Sequence, residues 1–404
     1  MERIRQKLFL VKYQDFVGFI MVILAVIPAV VLKLRDKKIW LLCERSDEAR
    51  DNAYAFFRYL QENKVEAEAY YAIEKNSSDS HKLKAYGSHV INFGSLKHYV
   101  YWLACDANIS SVKNSGPNNL IGYAFRKLNL MNKKQIFLQH GIIFNDLKWL
   151  HYDQTKIGTF VSNAGPEYQF IKDRFGYPER NLIKTSGQCR YDDLFTKDPY
   201  DFNYLLVMPT WRKWLKPGDP DMKIVEETTT FSQTHYYRNW MGLINDSRVH
   251  DILRQYNLKL VFYPHPTMQE YVEYFNGETN NFILADSKNW DIQRLIRNAQ
   301  MLLTDYSSVY FDFVYQEKPV ISYQFDLDKF HQNHYSPGYL PYDNNPFFKS
   351  SVDEKAVIDE LSNYLSNECQ VSDRYVATAN KFFPIKDQQN RQRLYQQLYQ
   401  RLYK

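Results

Sequence analysis

KIWLLCERSDEARDNAYAFFRYLQENKVEAEAYYAI (38–73) opens on a short apolar run, passes into helical spacing and closes on a second apolar run. KIWLLCER (38–45) reads as a buried strand, ARDNAYAFFRYLQEN (49–63) as an amphipathic helix and EAEAYYAI (66–73) as a strand again. Strand, helix, strand is the unit of a parallel sheet, because parallel neighbours need a crossover between them.

Outward from this unit the alternation continues. HVINF (89–93), the helix LKHYVYWLACD (96–106), ANISSV (107–112), QIFLQHG (135–141), TFVSNAG (159–165), the helix PEYQFIKDRFG (166–176) and LIKTSGQ (182–188) complete a first set. The polar stretch TKDPYDFN (196–203) reads as a linker. Alternation then restarts with YLLVMPT (204–210), KLVFYPHP (259–266), NFILAD (281–286), QMLLTDYSS (300–308) and KPVISYQ (318–324). Helices are expected between them at 236–256, 291–299 and 309–316. The expectation is an α/β chain with two doubly wound domains, 38–198 and 199–370, preceded by a segment at 1–37 and followed by C-terminal helices at 371–404. In QQNRQRLYQQLYQRLYK (388–404), Leu-Tyr recurs every four residues, which lays one apolar stripe along a packing helix.

A length of 404 residues suits two domains, and 45% hydrophobic content suits packed cores. The 33 tyrosines serve cores and membrane interfaces as well as polyol or sugar contacts. A net charge of +5, spread along the chain, excludes a nucleic-acid-binding balance. It fits anionic small substrates or an anionic membrane surface. Cys43, Cys105, Cys189 and Cys369 share no CxxC spacing, so reduced cytosolic thiols are expected, without zinc knuckle or disulfide framework. There is no GxxxxGK[ST], no HExxH and no GxGxxG after the first strand, which excludes the P-loop, zincin and typical dinucleotide classes.

FVGFIMVILAVIPAVVL (16–32) carries no charge and lies between Arg3, Arg5, Lys7 and Lys12 on one side and Lys33, Arg35, Lys37 and Lys38 on the other. A spanning helix needs about 20 apolar residues, and basic residues on both sides keep both ends on the cytoplasmic side. The reading is a helix, or a pair bent at Pro28, lying in the inner leaflet. A buried core helix and a single span are the alternatives.

In open α/β sheets ligands bind beyond the carboxyl ends of the strands, and five marked peptides stand there. QHG (139–141) places His140 between a strand end and Gly141; imidazole can take a proton from an attacking hydroxyl, and glycine lets a ligand approach the backbone. SGQCRYDD (186–193) offers Gly187 for a tight turn and Arg190 as an anion clamp. MPTWR (208–212) carries Thr210 and Arg212, whose fixed charge suits a diphosphate. YPHP (263–266) holds His265 between two prolines. TDYSSVYFDF (304–313) sets Asp305, Ser307 and Ser308 between a strand and a helix start, where hydroxyls and N–H groups meet phosphates. Each peptide also has an ordinary structural use, as a turn, a cap or a packing residue.

The set QHG, SGQxRYDD, PTWR, HP and TDYSSVYFDF, in this order and with LLCERSDEARDNAYAFF at its start, resembles the CDP-glycerol glycerophosphotransferase family of teichoic acid synthesis, over about residues 38–330. The resemblance implies a GT-B fold of two Rossmann-like domains gripping the donor between them, at the inner face of the cytoplasmic membrane. It implies transfer of glycerol or ribitol phosphate from a CDP-polyol donor to a hydroxyl of a lipid-linked polymer acceptor, with release of CMP. On it His140 falls on the family's base, His265, Ser307 and Ser308 fall at the donor phosphates with Thr210 and Arg212, and Asp305 belongs to the same catalytic motif. Gly141, Gly187 and Arg190 are expected on the anion or acceptor side; no cofactor, no metal and no nucleic acid are expected. Gln188, Cys189 and HYSPGYLPYDNNPF (334–347) depart from the family pattern, so capsule or another surface polymer is as open as wall teichoic acid. A hexosyltransferase using a sugar nucleotide and an inactive membrane adaptor are the alternatives.

Overall fold

β1 (Ile39–Cys43) is buried along its whole length, as a strand covered by helices on both faces must be. The computed structural model describes residues 13–35, 37–215 and 230–404, and their contacts divide into two compact units. The first holds seven strands: β1, β2 (Glu68–Ile73), β3 (Val90–Asn92), β4 (Ala107–Ser110), β5 (Gln135–Phe137), β6 (Thr159–Ser162) and β7 (Leu182–Lys184). They lie in the order β3-β2-β1-β4-β5-β6-β7, and every pairing is parallel. The order reverses between β1 and β4, which opens a crevice at their carboxyl ends.

The second unit repeats the pattern with β8 (Asn203–Val207), β9 (Leu258–Phe262), β10 (Phe282–Leu284), β11 (Met301–Thr304), β12 (Val320–Tyr323) and β13 (Ser350–Ser351). Their order is β10-β9-β8-β11-β12-β13, again parallel. The switch point falls between β8 and β11, whose following peptides are MPTWR and DYSS.

Several boundaries differ from the sequence reading. The expected break at 198/199 falls between Asp192 and Asp193. The run 371–404 is divided: the helix Asp373–Phe382 belongs to the second unit, while Asn390–Tyr403 packs on the first. Leu394 and Leu398 of that last helix are buried against Trp40 and Phe56 of the first core, and Trp40 Nε1 donates to the Tyr403 hydroxyl at 3.0 Å. Ile143–Leu147 belongs to the second unit. The long helix expected at 236–256 is two, His235–Asn245 and Ser247–Gln255, because Asp246 leaves helical geometry and caps the second through the Arg248 N–H.

α1 (Tyr13–Lys33) is one continuous helix of 21 residues that runs through Pro28, so the bent pair does not form. It is long and apolar enough to cross a membrane. Its small residues Gly18, Ala25 and Ala29 are buried, and it packs on α3 (Leu96–Ala104), which follows α2 (Asn52–Glu62) in the helix order. The opposite face, with Phe16, Phe19, Ile23 and Ile27, is exposed, Ile27 by 76%. A buried core helix is therefore excluded. The basic residues Arg3, Arg5, Lys7 and Lys12 lie outside the described residues.

Candidate functional site

Each switch point gathers one polar cluster. In the first unit His140 stands just past β5, after Gln139, whose positive φ of 70° turns the chain out of the sheet. Its Nδ1 donates to Asp51 Oδ2 at 2.8 Å, and its side chain is 55% exposed. That bond fixes the tautomer: Nδ1 carries the proton and Nε2 keeps the lone pair a general base needs. Asp51 holds the N-cap position of α2 but makes no side-chain cap; its carboxylate is turned to the imidazole instead.

The α2 start is satisfied by Glu44, which accepts from the N–H groups of Arg50 (2.9 Å), Asp51 (3.0 Å) and Tyr54 (2.8 Å). Burial pushes the Glu44 carboxyl up to about 8, the Asp51 charge adds to this, and the three backbone donors oppose it. Asn52 ties the cluster together, donating to the Gln139 carbonyl at 2.8 Å and accepting from the Arg190 N–H at 3.2 Å.

Arg190 is buried, with Nε 3.3 Å from Asp51 Oδ1 and a terminal nitrogen donating to the His140 carbonyl at 3.3 Å. Its charge faces the Asp51–His140 pair, where an anion clamp was expected. Gly187 has φ 136°, a conformation open to glycine, and its carbonyl accepts from the Thr185 hydroxyl at 3.0 Å. Gly141 follows His140 and is half-buried.

In the second unit the expectation for Arg212 and Asp305 needs correction. Arg212 is fully buried. It donates in bidentate fashion to Asp326 at 2.8 and 2.9 Å, to the Thr210 carbonyl at 2.7 Å, and meets Asp305 Oδ2 at 2.9 Å. Tyr306 and Tyr236 cover the guanidinium at 4.8 and 5.1 Å. Burial opposes its charge, but Asp326 and Asp305 hold it protonated well above its ordinary value. Asp305, also fully buried, accepts from the Thr210 N–H at 2.8 Å and the Tyr306 N–H at 2.6 Å. Burial raises its carboxyl, against the pull of Arg212. Neither side chain is presented to a ligand. Together they pin the loops after β8 and β11 to each other, which sequence spacing alone could not reveal.

What remains accessible beside this pin is His265, Ser307 and Ser308. His265 caps the turn of 3₁₀ helix at Pro266–Tyr274: its Nδ1 accepts from the Thr267 N–H at 3.1 Å, so a neutral ring carries its proton on Nε2. Ser307 Oγ accepts from the Val309 N–H at 3.3 Å. The helix that follows, Tyr310–Tyr315, is a single short turn and a half, so the hydroxyls rather than a helix dipole are what this peptide offers. His334, unnoticed in the sequence, stacks edge-on against Trp211 at 4.5 Å and accepts from the Lys213 N–H at 3.0 Å. Burial, then Arg212, His265 and Lys213, pull it down to about 3, so it stays neutral.

The sequence reading missed Asp51, His334 and Asp326. The signal for Asp51 was present in ARDNAYAFFRYLQEN (49–63), which was read only as an amphipathic helix. The expectation of a metal-free donor site rested on the absence of an Asp-x-Asp peptide, and that ground was wrong, since the sequence holds two. Asp219-Pro-Asp221 lies outside the described residues, and in Asp326-Leu-Asp328 the first carboxylate is committed to Arg212.

The family model described as CDP-Glycerol:Poly(glycerophosphate) glycerophosphotransferase matches residues 24–400. The chain is 31% identical over 363 residues to the minor teichoic acid biosynthesis protein GgaB of Bacillus subtilis (strain 168), covering 89% of this chain and 39% of GgaB. It is 25% identical over 260 residues to the teichoic acid ribitol-phosphate polymerase TarK of Staphylococcus aureus (strain NCTC 8325 / PS 47), covering 62% of this chain and 46% of TarK. The chain thus spans less than half the length of these two relatives. Among solved structures, the wall teichoic acid polymerase TagF matches with a TM-score of 0.62 at 14% identity, over 97% of this chain and 98% of that one. At that identity the likeness is one of fold.

Proposed function

This chain belongs to the CDP-glycerol:poly(glycerophosphate) glycerophosphotransferase family, and we propose that it transfers glycerol or ribitol phosphate from a CDP-polyol to a hydroxyl of a surface polymer, releasing CMP. The observation that carries this reading is the Asp51–His140 pair at the first switch point, in a chain of that family. His140 Nε2 takes the proton of the acceptor hydroxyl, and Asp51 stabilises the imidazolium that forms. The hydroxyl attacks the donor phosphorus that bears the polyol. CMP leaves, its charge met by the His265 Nε2–H and by the hydroxyls of Ser307 and Ser308. Transfer of this kind depends mainly on positioning and charge stabilisation. The Arg212–Asp305–Asp326 pin and Arg190 supply the positioning.

The test is incubation of the membrane fraction with a panel of CDP-polyols. CMP release with one of them is expected. Turnover of a UDP- or GDP-sugar with no CMP release overturns the reading in favour of a hexosyltransferase, and no turnover at all makes the chain an adaptor.

The same reading places the chain at the inner face of the membrane, held by α1 next to its lipid-linked acceptor. Each apolar side chain buried in lipid contributes about 1.5–3 kcal/mol, and each Lys or Arg near an anionic surface about 1 kcal/mol. The exposed ridge of α1 therefore outweighs the flanking basic residues. A wash at 1 M salt, where the screening length is about 3 Å, is expected to leave the protein in the membrane pellet, and detergent to release it. Release by salt alone makes the attachment electrostatic and removes α1 from this role.

A further inference from the structure

Exposed apolar side chains are not scattered over the first unit. Among its described residues, the large ones outside α1 and Leu34 are Leu96, Leu120, Tyr123, Leu128, Leu130 and Trp149. Leu96 opens α3, on which α1 packs. Leu120 and Tyr123 belong to α4 (Asn119–Lys127), which also touches α1. Leu128 and Leu130 follow α4 and are 68% and 58% exposed. Trp149 joins the group through Lys113, whose Nζ lies over its ring at 4.7 Å and whose carbonyl accepts from Arg126 of α4 at 3.2 Å.

α4 is seated beside α1. Asn118, which caps it, donates to Asp15 Oδ1 at 3.0 Å. A Cβ at Gly18 of α1 would stand 2.9 Å from the Tyr99 hydroxyl of α3 and 3.3 Å from the Asn118 side chain. Val22 and Leu32 of α1 share one apolar cluster with Ile121 and Phe125 of α4 and Trp102 of α3. Both helices turn one face to this cluster and the other away from it. On α4 the outward face carries Leu120, Tyr123 and Lys127, three and four residues apart.

The surroundings are basic. Residues 107–145 hold Lys113, Arg126, Lys127, Lys133 and Lys134 and no Asp or Glu, and Lys127 Nζ lies over the Tyr123 ring at 5.7 Å. Apolar side chains among cations, with Trp and Tyr between them, match the boundary of an anionic bilayer. Aromatic rings settle there at headgroup depth, and lysines reach the lipid phosphates. A second copy of this chain on the same face would set these cations against one another. We propose that α4, the segment after it and Trp149 form a second contact with an anionic bilayer, beside α1. This surface rests on the reading that α1 sits in the membrane. It makes α1 lie along the bilayer, because a spanning α1 would carry α3 and the cations of α4, packed on its side, into hydrocarbon.

Immersion is read without turnover. The full chain, with Cys369→Ser and its three buried cysteines left in place, takes a nitroxide label at Ile27→Cys, Tyr123→Cys, Leu130→Cys or Lys64→Cys, and is reconstituted in vesicles of phosphatidylglycerol and phosphatidylcholine. Lys64 is the aqueous control: it follows α2, which packs with Trp40 and Leu42 on the sheet face opposite the α1 cluster. Labels at 27, 123 and 130 are expected to meet oxygen more than a polar nickel chelate, and the label at 64 the reverse. Labels at 123 and 130 that behave like the one at 64, while 27 reports lipid, overturn the second contact and leave α1 as the anchor. A label at 27 that behaves like the one at 64 overturns the α1 reading and this surface with it. Lys127→Gln with Lys133→Gln, both exposed, should weaken partition onto phosphatidylglycerol vesicles about tenfold or more and leave phosphatidylcholine unchanged. Equal weakening on both lipids overturns the match to an anionic surface, and dipolar coupling between two copies labelled at 130 in detergent overturns the proposal in favour of a face between copies.

Discussion

His140→Ala lowers CMP release by about 10²-fold or more while the protein stays folded. The imidazole is more than half exposed and its partner Asp51 keeps Arg190 beside it at 3.3 Å, so its removal opens no cavity and leaves Asp51 with a counter-charge. The loss should fall on kcat, since a base acts only as the hydroxyl proton leaves, whereas a group that merely bound donor would raise KM. Asp51→Asn completes the comparison. The amide can still accept the Nδ1 proton, but it no longer stabilises the imidazolium, so kcat falls again without loss of donor affinity. Circular dichroism and an unfolding transition check that the fold survives. Near-normal turnover in His140→Ala removes the base from this residue, whatever the fate of the proposed reaction.

The strands were legible because parallel sheets bury both faces, and such strands are continuous apolar runs between turn residues. LLC, LLV, IF and MLL could be placed for that reason. Elements whose pattern is weak were not. α4 contains Gly122 and follows SGPNN, so its sequence NLIGYAFRK reads as loop although it forms a capped helix. β13 is two residues long and carries no periodicity of its own. Pro28 suggested a bend, but a helix whose small-residue stripe packs on α3 continues through it.

The site was half legible. His140, His265 and the serines stand at strand ends, where position already argues for a ligand. Asp51 did not stand out, because an acid before a helix is an ordinary cap; only the fold shows that Glu44 does the capping and frees Asp51 for the histidine. Arg212 was misjudged, since a sequence displays a charge but not what neutralises it.

Arg212→Met destabilises the second unit by about 3–5 kcal/mol, because it leaves the charges of Asp305 and Asp326 buried without a counter-ion. The guanidinium has no exposure to lose, so the expected effect is on folding and not on the donor contact first suggested by its charge. Arg212→Lys should recover little. An ammonium can reach one carboxylate as a point charge, but it cannot make the paired bonds to Asp326 at 2.8 and 2.9 Å while also meeting Asp305 and the Thr210 carbonyl. Replacing all three, with Arg212→Met beside Asp305→Asn and Asp326→Asn, removes the stranded charges and should restore part of the loss. Denaturant titration with tryptophan fluorescence reads this directly, since Trp211 and Trp214 flank the position. A normal unfolding midpoint in Arg212→Met together with lost donor affinity would mean that the guanidinium reaches the phosphates after all, and that the buried pin is not what holds these two loops.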